Sequence, residues 1–338
     1  MAAARERPRR RRRFHQLVAL VGHDGAPLSP GVRPDVPGAV RFLFHVIMRH
    51  VNESEIRPAA IVVGCGDVGS AVAHALHRAG CAVVLADHAD PPWTRRGMAY
   101  TDAWYVGTAE LAQVDACFCA SVRSIPFVLD RRDMIAATTW SWQGVAAALH
   151  PVAIVDARVV KRQAPASLKT DDSASPLTIG LGPGFVAGLH VDIAIETAWG
   201  DDLGAVIESG GTKPFEGEPR RVGGAGRERY VYASRAGRFQ TNRRIGEHVA
   251  AGEEIAMLGG DSIAAPLTGV LRGISARGAR IGAAQKIVEV DPRDDASLCF
   301  GLGERPRRIA TGVLEALARR GVIVGLPRHA AQRESLHG

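Results

Sequence analysis

Residues 59–80 read AAIVVGCGDVGSAVAHALHRAG. Ile61, Val62 and Val63 form a short β-branched run of the kind found in buried parallel strands. Gly64, Gly66 and Gly69 follow in G-x-G-x-x-G spacing. Val68, Ala71, Val72, Ala75 and Leu76 then recur at helical spacing and give one apolar face. Gly80 stands where a helix C-cap belongs. Cys81–Ala86 is a second apolar strand, and it ends in Asp87, about 20 residues beyond the loop. Strand, glycine loop, helix, strand and terminal acid together predict a Rossmann-like, nucleotide-binding βαβ unit. In such a unit glycines let the backbone approach a phosphate, and the helix N-terminus offers free N–H groups and a positive dipole. The same glycines also serve close helix–strand packing with no ligand, and that reading stays open.

Outward from this unit, composition sets bounds. The chain has 338 residues, enough for two or three domains. Its net charge is +7, but residues 1–13, MAAARERPRRRRR, hold seven Arg and one Glu, or +6. The remainder is therefore +1, and a basic face for nucleic acid is not implied. We read residues 1–57 as a disordered basic arm, or as translation from a start codon placed too far upstream. Five scattered cysteines, Cys65, Cys81, Cys117, Cys119 and Cys299, do not make a disulfide framework and suit a reducing, cytoplasmic setting. Cys117 and Cys119 fall in a short strand-like segment, where they pack as small apolar groups. No apolar run is long enough to span a membrane. His190-x-Asp192 has no third ligand beside it, so no metal site is expected.

Downstream of Asp87, Pro91 and Pro92 forbid a regular element. Arg95 and Arg96 lie just past the strand end that carries Asp87, where the sugar or phosphate of a cofactor would sit. Ala116–Ala120 and Ile125–Leu129 are short apolar segments, and a helix is expected through Gln143–Leu149. Val152–Val155 is a further buried strand. It ends in DARVVKR, so Asp156, Arg158, Lys161 and Arg162 emerge at a strand's carboxyl end, the ligand edge of an open α/β sheet. Residues 163–175 are a polar connector. Pro176–Leu181 is strand-like and runs into GLGPGFVAG, a second glycine loop with Gly182 and Gly184 flanking Pro183. LHVDIAIET then alternates in strand fashion.

Residues 230–292 contain an internal repeat at a constant offset of 32. Gly237 matches Gly269, Phe239 matches Leu271, Gly246 matches Gly278, Val249 matches Ile281, Ile255 matches Ile287 and Leu258 matches Val290. Two β units of this size, neither able to bury its face alone, are expected to interlock. IGEHVAAGEEIAML and AAPLTGVLRG are similar to segments of biotinyl/lipoyl-type barrel-sandwich domains. Those domains carry a modified lysine on the hairpin between halves. Here that hairpin is Gly259-Gly260-Asp261-Ser262, which points to a docking module and not to a swinging arm. Residues 307–320 form a closing helix. The expected organisation is a basic arm (1–57), a Rossmann-like parallel-sheet domain (58–165) and a glycine-loop connecting region packed on it (166–228). A smaller all-β barrel-sandwich hybrid domain (229–295) and a C-terminal helix and tail (296–338) complete it.

Taken in order, GCGDVGSAVAHALHRAG, TRRGMAYTDA, IVDARVVKR, IGLGPGFVAGLHVDIAIET and the stretch from GGDSIAAPLTGVLRG to KIVEVDPR resemble the selenium-dependent molybdenum hydroxylase system proteins (YqeB type). The resemblance spans roughly residues 58–320. The N-terminal half is also similar to the Rossmann part of xanthine dehydrogenase accessory proteins (XdhC/CoxI type), whose cysteine-bearing amino-terminal domain has no counterpart here. The resemblance implies an accessory protein for molybdenum hydroxylase maturation. It would bind or deliver the molybdenum pterin cofactor, alone or as a dinucleotide. Implied partners are xanthine dehydrogenase-like hydroxylase subunits and a cysteine desulfurase. The candidate cofactor-binding residues are Gly64, Gly66, Asp67, Gly69, Asp87, Arg95, Arg96, Arg158, Lys161, Gly182 and Gly184. An NAD(P)-dependent oxidoreductase using the same loop and Asp87 is the alternative, although no His–carboxylate or Tyr-x-x-x-Lys pair stands out for hydride transfer. An assembly scaffold with no bound nucleotide is the third reading. No catalytic residue is assigned.

Overall fold

The computed structural model describes residues 57–323, apart from 162, 170–174, 216 and 218. The basic arm expected over residues 1–57 lies outside the described residues up to residue 56, as does the tail beyond residue 323. Arg57 already belongs to the fold, for its guanidinium donates to the carbonyl of Gly80 at 2.9 Å.

The chain is a mixed α/β structure with one large, mostly parallel sheet and several small antiparallel sheets. β1 (Ala59–Val63) leads through the glycine loop into α1 (Asp67–Arg78), and β2 (Ala82–Ala86) returns parallel to β1. Then come α2 (Ala103–Val106), β3 (Thr108–Leu111), β4 (Val114–Phe118), α3 (Ile125–Leu129), β5 (Met134–Thr138), α4 (Trp142–Leu149) and β6 (Ala153–Asp156). β5 has no counterpart in the sequence reading, because MIAAT is short, rich in alanine and without alternation. β7 (Leu177–Leu181), β8 (Val186–Ala187), β9 (Ile193–Ile195), β10 (Val206–Ile207) and β11 (Gly210–Gly211) follow.

The nine-stranded sheet runs β10-β9-β7-β6-β1-β2-β5-β4-β3. The strands from β9 to β4 are parallel, and β10 and β3 pair antiparallel at the two edges. The sheet therefore does not stop at residue 165. Ile179, Leu181, Ile193 and Ile195 are buried on one face and Thr178 and Ala194 on the other, and strands buried on both faces join a sheet rather than lie on one. From β1 the chain passes to β2 on one side, and after β5 it crosses to β6 on the other. The strand order thus reverses between β1 and β6, and the strand ends at such a reversal are the usual place for a ligand.

Helices cover both faces. Val62, Val83 and Leu85 lie in one core with Val68, Val72 and Leu76 of α1. α5 (Glu304–Arg319) joins that core through Ile309, Val313 and Leu317 and packs along α1. On the other face Ile61, Val84 and Ile154 pack with Ile125 of α3 and Val145 of α4.

The repeat region holds β12 (Tyr230–Tyr232), β13 (Gly237–Gln240), β14 (His248–Val249), β15 (Glu254–Leu258), β16 (Asp261–Ala264), β17 (Gly269–Ile274), β18 (Arg280–Ile281) and β19 (Lys286–Asp291). They form two four-stranded sheets, β12-β19-β17-β14 and β16-β15-β13-β18. The 32-residue offset carries β13, β14 and β15 onto β17, β18 and β19. The halves exchange strands, since β14 pairs with β17 while β18 pairs with β13. One core results, in which Phe239, Val249, Ile255 and Leu258 meet Leu271, Ile281, Ile287 and Val290. The repeat extends to backbone conformation, with Gly246 and Gly278 both at φ +86°. The segment after β2 docks on this region. The Ile274 N–H donates to the Thr94 carbonyl at 3.0 Å, and Arg96 Nε donates to the Ile274 carbonyl at 2.9 Å.

Candidate functional site

The glycine loop after β1 is built by close approach. A Cβ on Gly69 would fall 1.8 Å from the carbonyl oxygen of Gly64, and one on Gly64 would fall 2.9 Å from the backbone nitrogen of Arg158. The third glycine thus lets α1 lie against the loop, and the first lets the loop after β1 touch the loop after β6. Side chains lock the turn between them. Cys65 N–H donates to Asp87 Oδ2 at 2.7 Å, and the Cys65 carbonyl accepts from Ser70 Oγ and Thr101 Oγ1. α1 then starts at Asp67 with Gly66 as its N-cap and no side-chain cap. Its first N–H groups therefore keep their positive field toward the rim. Over Gly66 lies the ring of Trp93, 3.0 Å from where a Cβ would stand.

The second glycine loop meets the same rim. Gly182, at φ +118°, lies against Val159 in the loop after β6, and its carbonyl accepts from Thr212 Oγ1 at 2.6 Å. Gly180 has no room for a side chain, because the Phe185 ring is 2.4 Å from its Cβ position. Gly184, at φ +88°, faces Pro165. The loop after β6 therefore touches both the loop after β1 and the loop after β7. At the end of β6, buried Asp156 receives Arg158 Nη2 at 2.5 Å and Nε at 3.0 Å, together with the Arg158 backbone N–H.

Charged side chains converge on this rim from distant segments. Arg95 places Nε and Nη2 on the two oxygens of Glu289 at 2.8 and 2.9 Å, and Nη1 on Asp67 Oδ2 at 3.1 Å. Its planar fork suits this bidentate contact. Glu289, in β19, is fully buried and also meets Lys286 Nζ at 3.0 Å and Arg229 Nη1. Burial raises the Glu289 carboxyl, but Arg95 and Lys286 more than offset this and hold it well below the usual carboxylate range. Burial pushes the Lys286 ammonium down to about 8, with Glu289 opposing and Arg95 adding to the drop. Lys161 has its Nζ 5.2 Å from the centroid of the Phe215 ring. Its pKa is lowered, first by loss of solvation and then by Arg305 and Arg95, with Asp67 opposing. Arg305, at the start of α5, donates Nε to the Thr197 carbonyl at 2.8 Å. Burial lowers its pKa, Asp67 raises it and Arg95 lowers it further. Among the described residues neither Lys161 nor Arg305 has a carboxylate within salt-bridge distance.

The rim thus gathers Gly64, Gly66, Asp67, Gly69, Asp87, Arg95, Arg158, Lys161, Gly182 and Gly184. Arg96 is engaged elsewhere, with Ile274 and Asp102, and Arg162 lies outside the described residues. Sequence reading misses Glu289, Lys286, Arg229 and Arg305. Glu289 carries a signal all the same, as an acid inside the apolar run of KIVEVD. Asp87 uses both oxygens on backbone, accepting from the N–H groups of Cys65 and His88. Burial first, and then Asp87, hold the Cys65 thiol well above its ordinary pKa. His190 Nδ1 accepts from the Val186 N–H, and Asp192 accepts from Thr178. No cluster of three or more His, Cys, Asp or Glu that could hold a metal occurs among the described residues. No helix among them is long and apolar enough to cross a membrane.

No family model matches the chain. A relative from Escherichia coli (strain K12), named "Uncharacterized protein YqeB", is 33% identical over 257 residues, covering 76% of this chain and 47% of the relative. The chain thus spans about half the length of the curated relative it matches. Among solved structures, the product-bound ectoine utilization protein EutE (DoeB) from Ruegeria pomeroyi aligns with 70% of this chain and 85% of its own, at 12% identity and a TM-score of 0.21. A succinylglutamatedesuccinylase/aspartoacylase from Rhodobacter sphaeroides aligns with 69% and 85%, at 10% identity and a TM-score of 0.19. Scores this low carry no argument about this chain.

Proposed function

We propose that the rim formed by the loops after β1, β6 and β7 holds the phosphate of an anionic, nucleotide-like cofactor. In this reading the large sheet with its helices is a Rossmann-like domain, and residues 229–295 are a barrel-sandwich unit docked on it. One observation carries the reading: Lys161 and Arg305 both sense Asp67 at the uncapped N-terminus of α1, and among the described residues neither has a carboxylate within salt-bridge distance. Arg305 is half-buried and Lys161 exposed, and two such cations beside free N–H groups make a positive field that an anion would neutralise. Donors and charge therefore fit a phosphate. Asp67, on the same helix end, has Arg95 to neutralise it.

The molybdenum part of the proposal rests on the resemblance carried by GCGDVGSAVAHALHRAG, IVDARVVKR and GLGPGFVAGLHVDIAIET. The protein would be a cytoplasmic accessory factor that binds or delivers the molybdenum pterin cofactor to a xanthine dehydrogenase-type enzyme, with a cysteine desulfurase as a further partner. The molybdenum centre supplies its redox chemistry in the acceptor enzyme. The work of this chain is to bind the phosphate, orient the pterin and exclude water from the rim. An NAD(P)-dependent oxidoreductase is favoured by the placement of Asp87 at the end of β2. However, both oxygens of that carboxylate already accept backbone N–H groups.

The test is mass spectrometry of small molecules released from the purified protein, with equilibrium binding of molybdopterin and of NADH. Replacing one cation by a neutral side chain, as in K161Q or R305Q, should weaken phosphate binding by about 10- to 150-fold, the equivalent of a charge-assisted hydrogen bond. Tight binding of NADH with indifference to the pterin would replace this reading by the oxidoreductase. Binding of neither would favour a scaffold without nucleotide.

A further inference from the structure

A second basic cleft, of about 460 Å³, opens where the repeat region meets the segment after β2 and α2. No residue of the glycine loops lines it. Four arginines do: Arg96, Arg243, Arg244 and Arg277. Two of them are neutralised. Arg96 Nη1 binds Asp102 Oδ1 at 2.5 Å, and Arg243 pairs with Glu253 and, at 3.9 Å, with Glu247. The other two are not. Arg277 Nη1 reaches the neutral amide oxygen of Asn242 at 3.0 Å, and the Arg244 guanidinium has no hydrogen-bonding or salt-bridge partner among the described residues. Set against Asp102, Glu253 and Glu247, the four arginines leave an excess of one positive charge, with Arg244 and Arg277 the two that face no carboxylate among the described residues.

The internal repeat explains why these arginines meet. The loop after β13, with Arg243 and Arg244, and the loop after β17, with Arg277, occupy equivalent places in the two halves. Strand exchange brings the two loops side by side, and the Arg277–Asn242 bond ties them. The first loop is also held from within. Thr241 Oγ1 donates to the Ile255 carbonyl at 2.7 Å and accepts from the Arg243 N–H at 3.0 Å. The guanidiniums therefore spring from a fixed backbone. The far wall is α2, which contributes Tyr105 and Val106, the latter 74% exposed. A volume of this size is within the range of small-molecule clefts, and apolar surface opposite paired guanidiniums is the complement of a molecule with a flat, weakly polar body and an anionic head.

We propose that this cleft is a binding site for a small phosphorylated molecule of the mononucleotide class, with the phosphate on Arg244 and Arg277 and the body against Tyr105 and Val106. It is a second anion site, independent of the rim at the glycine loops. The test is calorimetric titration of the purified full chain with inorganic pyrophosphate and with AMP, GMP and CMP. The titrations are repeated on R244Q/R277Q and on K161Q/R305Q. Arg244 and Arg277 are exposed, so their replacement leaves the cores intact, and circular dichroism and thermal melting check this. We expect saturable binding of at least one probe that includes a component weakened tenfold or more in R244Q/R277Q and retained in K161Q/R305Q, whatever the rim itself contributes. The proposal is overturned by no saturable binding of any probe, by equal binding to R244Q/R277Q, or by loss confined to K161Q/R305Q. The last outcome would assign the binding to the glycine-loop rim, so failure here and failure of the proposed function are separable.

Discussion

Glu289 is the most consequential single charge in the molecule, and E289Q tests that directly. The side chain is fully buried and accepts two bonds from Arg95, one from Lys286 and one from Arg229. Gln keeps the volume and removes the charge. Arg95, Lys286, Arg229 and, at 3.8 Å, Arg272 then lose the carboxylate they share, with Asp67 still on Arg95 and Asp291 still on Arg272. Removing one partner of a buried pair costs roughly 3–5 kcal/mol, because the surviving charge stays desolvated. For a body of this size about 1 kcal/mol moves the melting temperature by ~2–4 °C, so E289Q should melt roughly 6–20 °C below wild type. The pH dependence follows from the depressed carboxyl. Its contribution is complete above the unfolded value of 4.5 and is lost as pH falls from there toward the much lower folded value. Wild type should therefore lose stability to acid below about pH 4.5, and E289Q should lack that share of the loss. The assay is urea unfolding and thermal melting at pH 7 and pH 4, with R95Q and the double variant R95Q/E289Q closing a cycle. A melting temperature within about 2 °C of wild type, or no coupling between the two positions, would refute the argument that this network pins β19 to the glycine loop.

Two further outcomes follow from the same geometry. G69A should lower the melting temperature by several degrees or abolish folding, because its Cβ would fall 1.8 Å from the Gly64 carbonyl oxygen, and forced overpacking costs about 1–3 kcal/mol or more; a melt as mild as that of G282A, where the nearest atom to the new Cβ is 3.7 Å away, would contradict it. Lys286 releases its proton near 8 when folded and at 10.5 when unfolded, so the unfolded state holds more protons between those values and stability rises with pH there; in urea unfolding at pH 7.5 and 10, wild type should gain on K286M by roughly 1–3 kcal/mol, and parallel behaviour would be the negative result.

Much of the architecture was legible in short stretches because local period and local packing agree. β1, α1 and β2 each show their period within five to twelve residues, and the apolar positions of that pattern are buried except for the half-buried Ala59, Ala75 and Ala82. The 32-residue offset was equally legible, since matched glycines and core residues recur at matched backbone positions. What escaped was set by tertiary context. β5 is a central strand made of Met, Ile, two Ala and Thr, and only its neighbours β2 and β4 make it a strand. The extension of the sheet through β7, β9 and β10 was hidden by the polar connector at 163–175, which reads as the end of a domain.

The site divides in the same way. Its backbone half, the glycines at 64, 66, 69, 182 and 184 and the acid at 87, is written locally, since each answers to a turn or a close approach. Its charged half is not local at all. Arg95 and Glu289 are separated by 194 residues, and nothing in TRRG or in KIVEVD alone says that they meet. The pairing has a consequence for any anion that arrives at the rim. Arg95 is shared between Asp67 at the start of α1 and Glu289 in β19, so a phosphate near Asp67 competes with both carboxylates for the same guanidinium. Lys161 and Arg305 face no such competition and would be the first to respond. An anion that engages them without disturbing Arg95 would leave the contact between the large sheet and the repeat region intact. One that draws Arg95 away would loosen that contact by an amount comparable to the cost of E289Q.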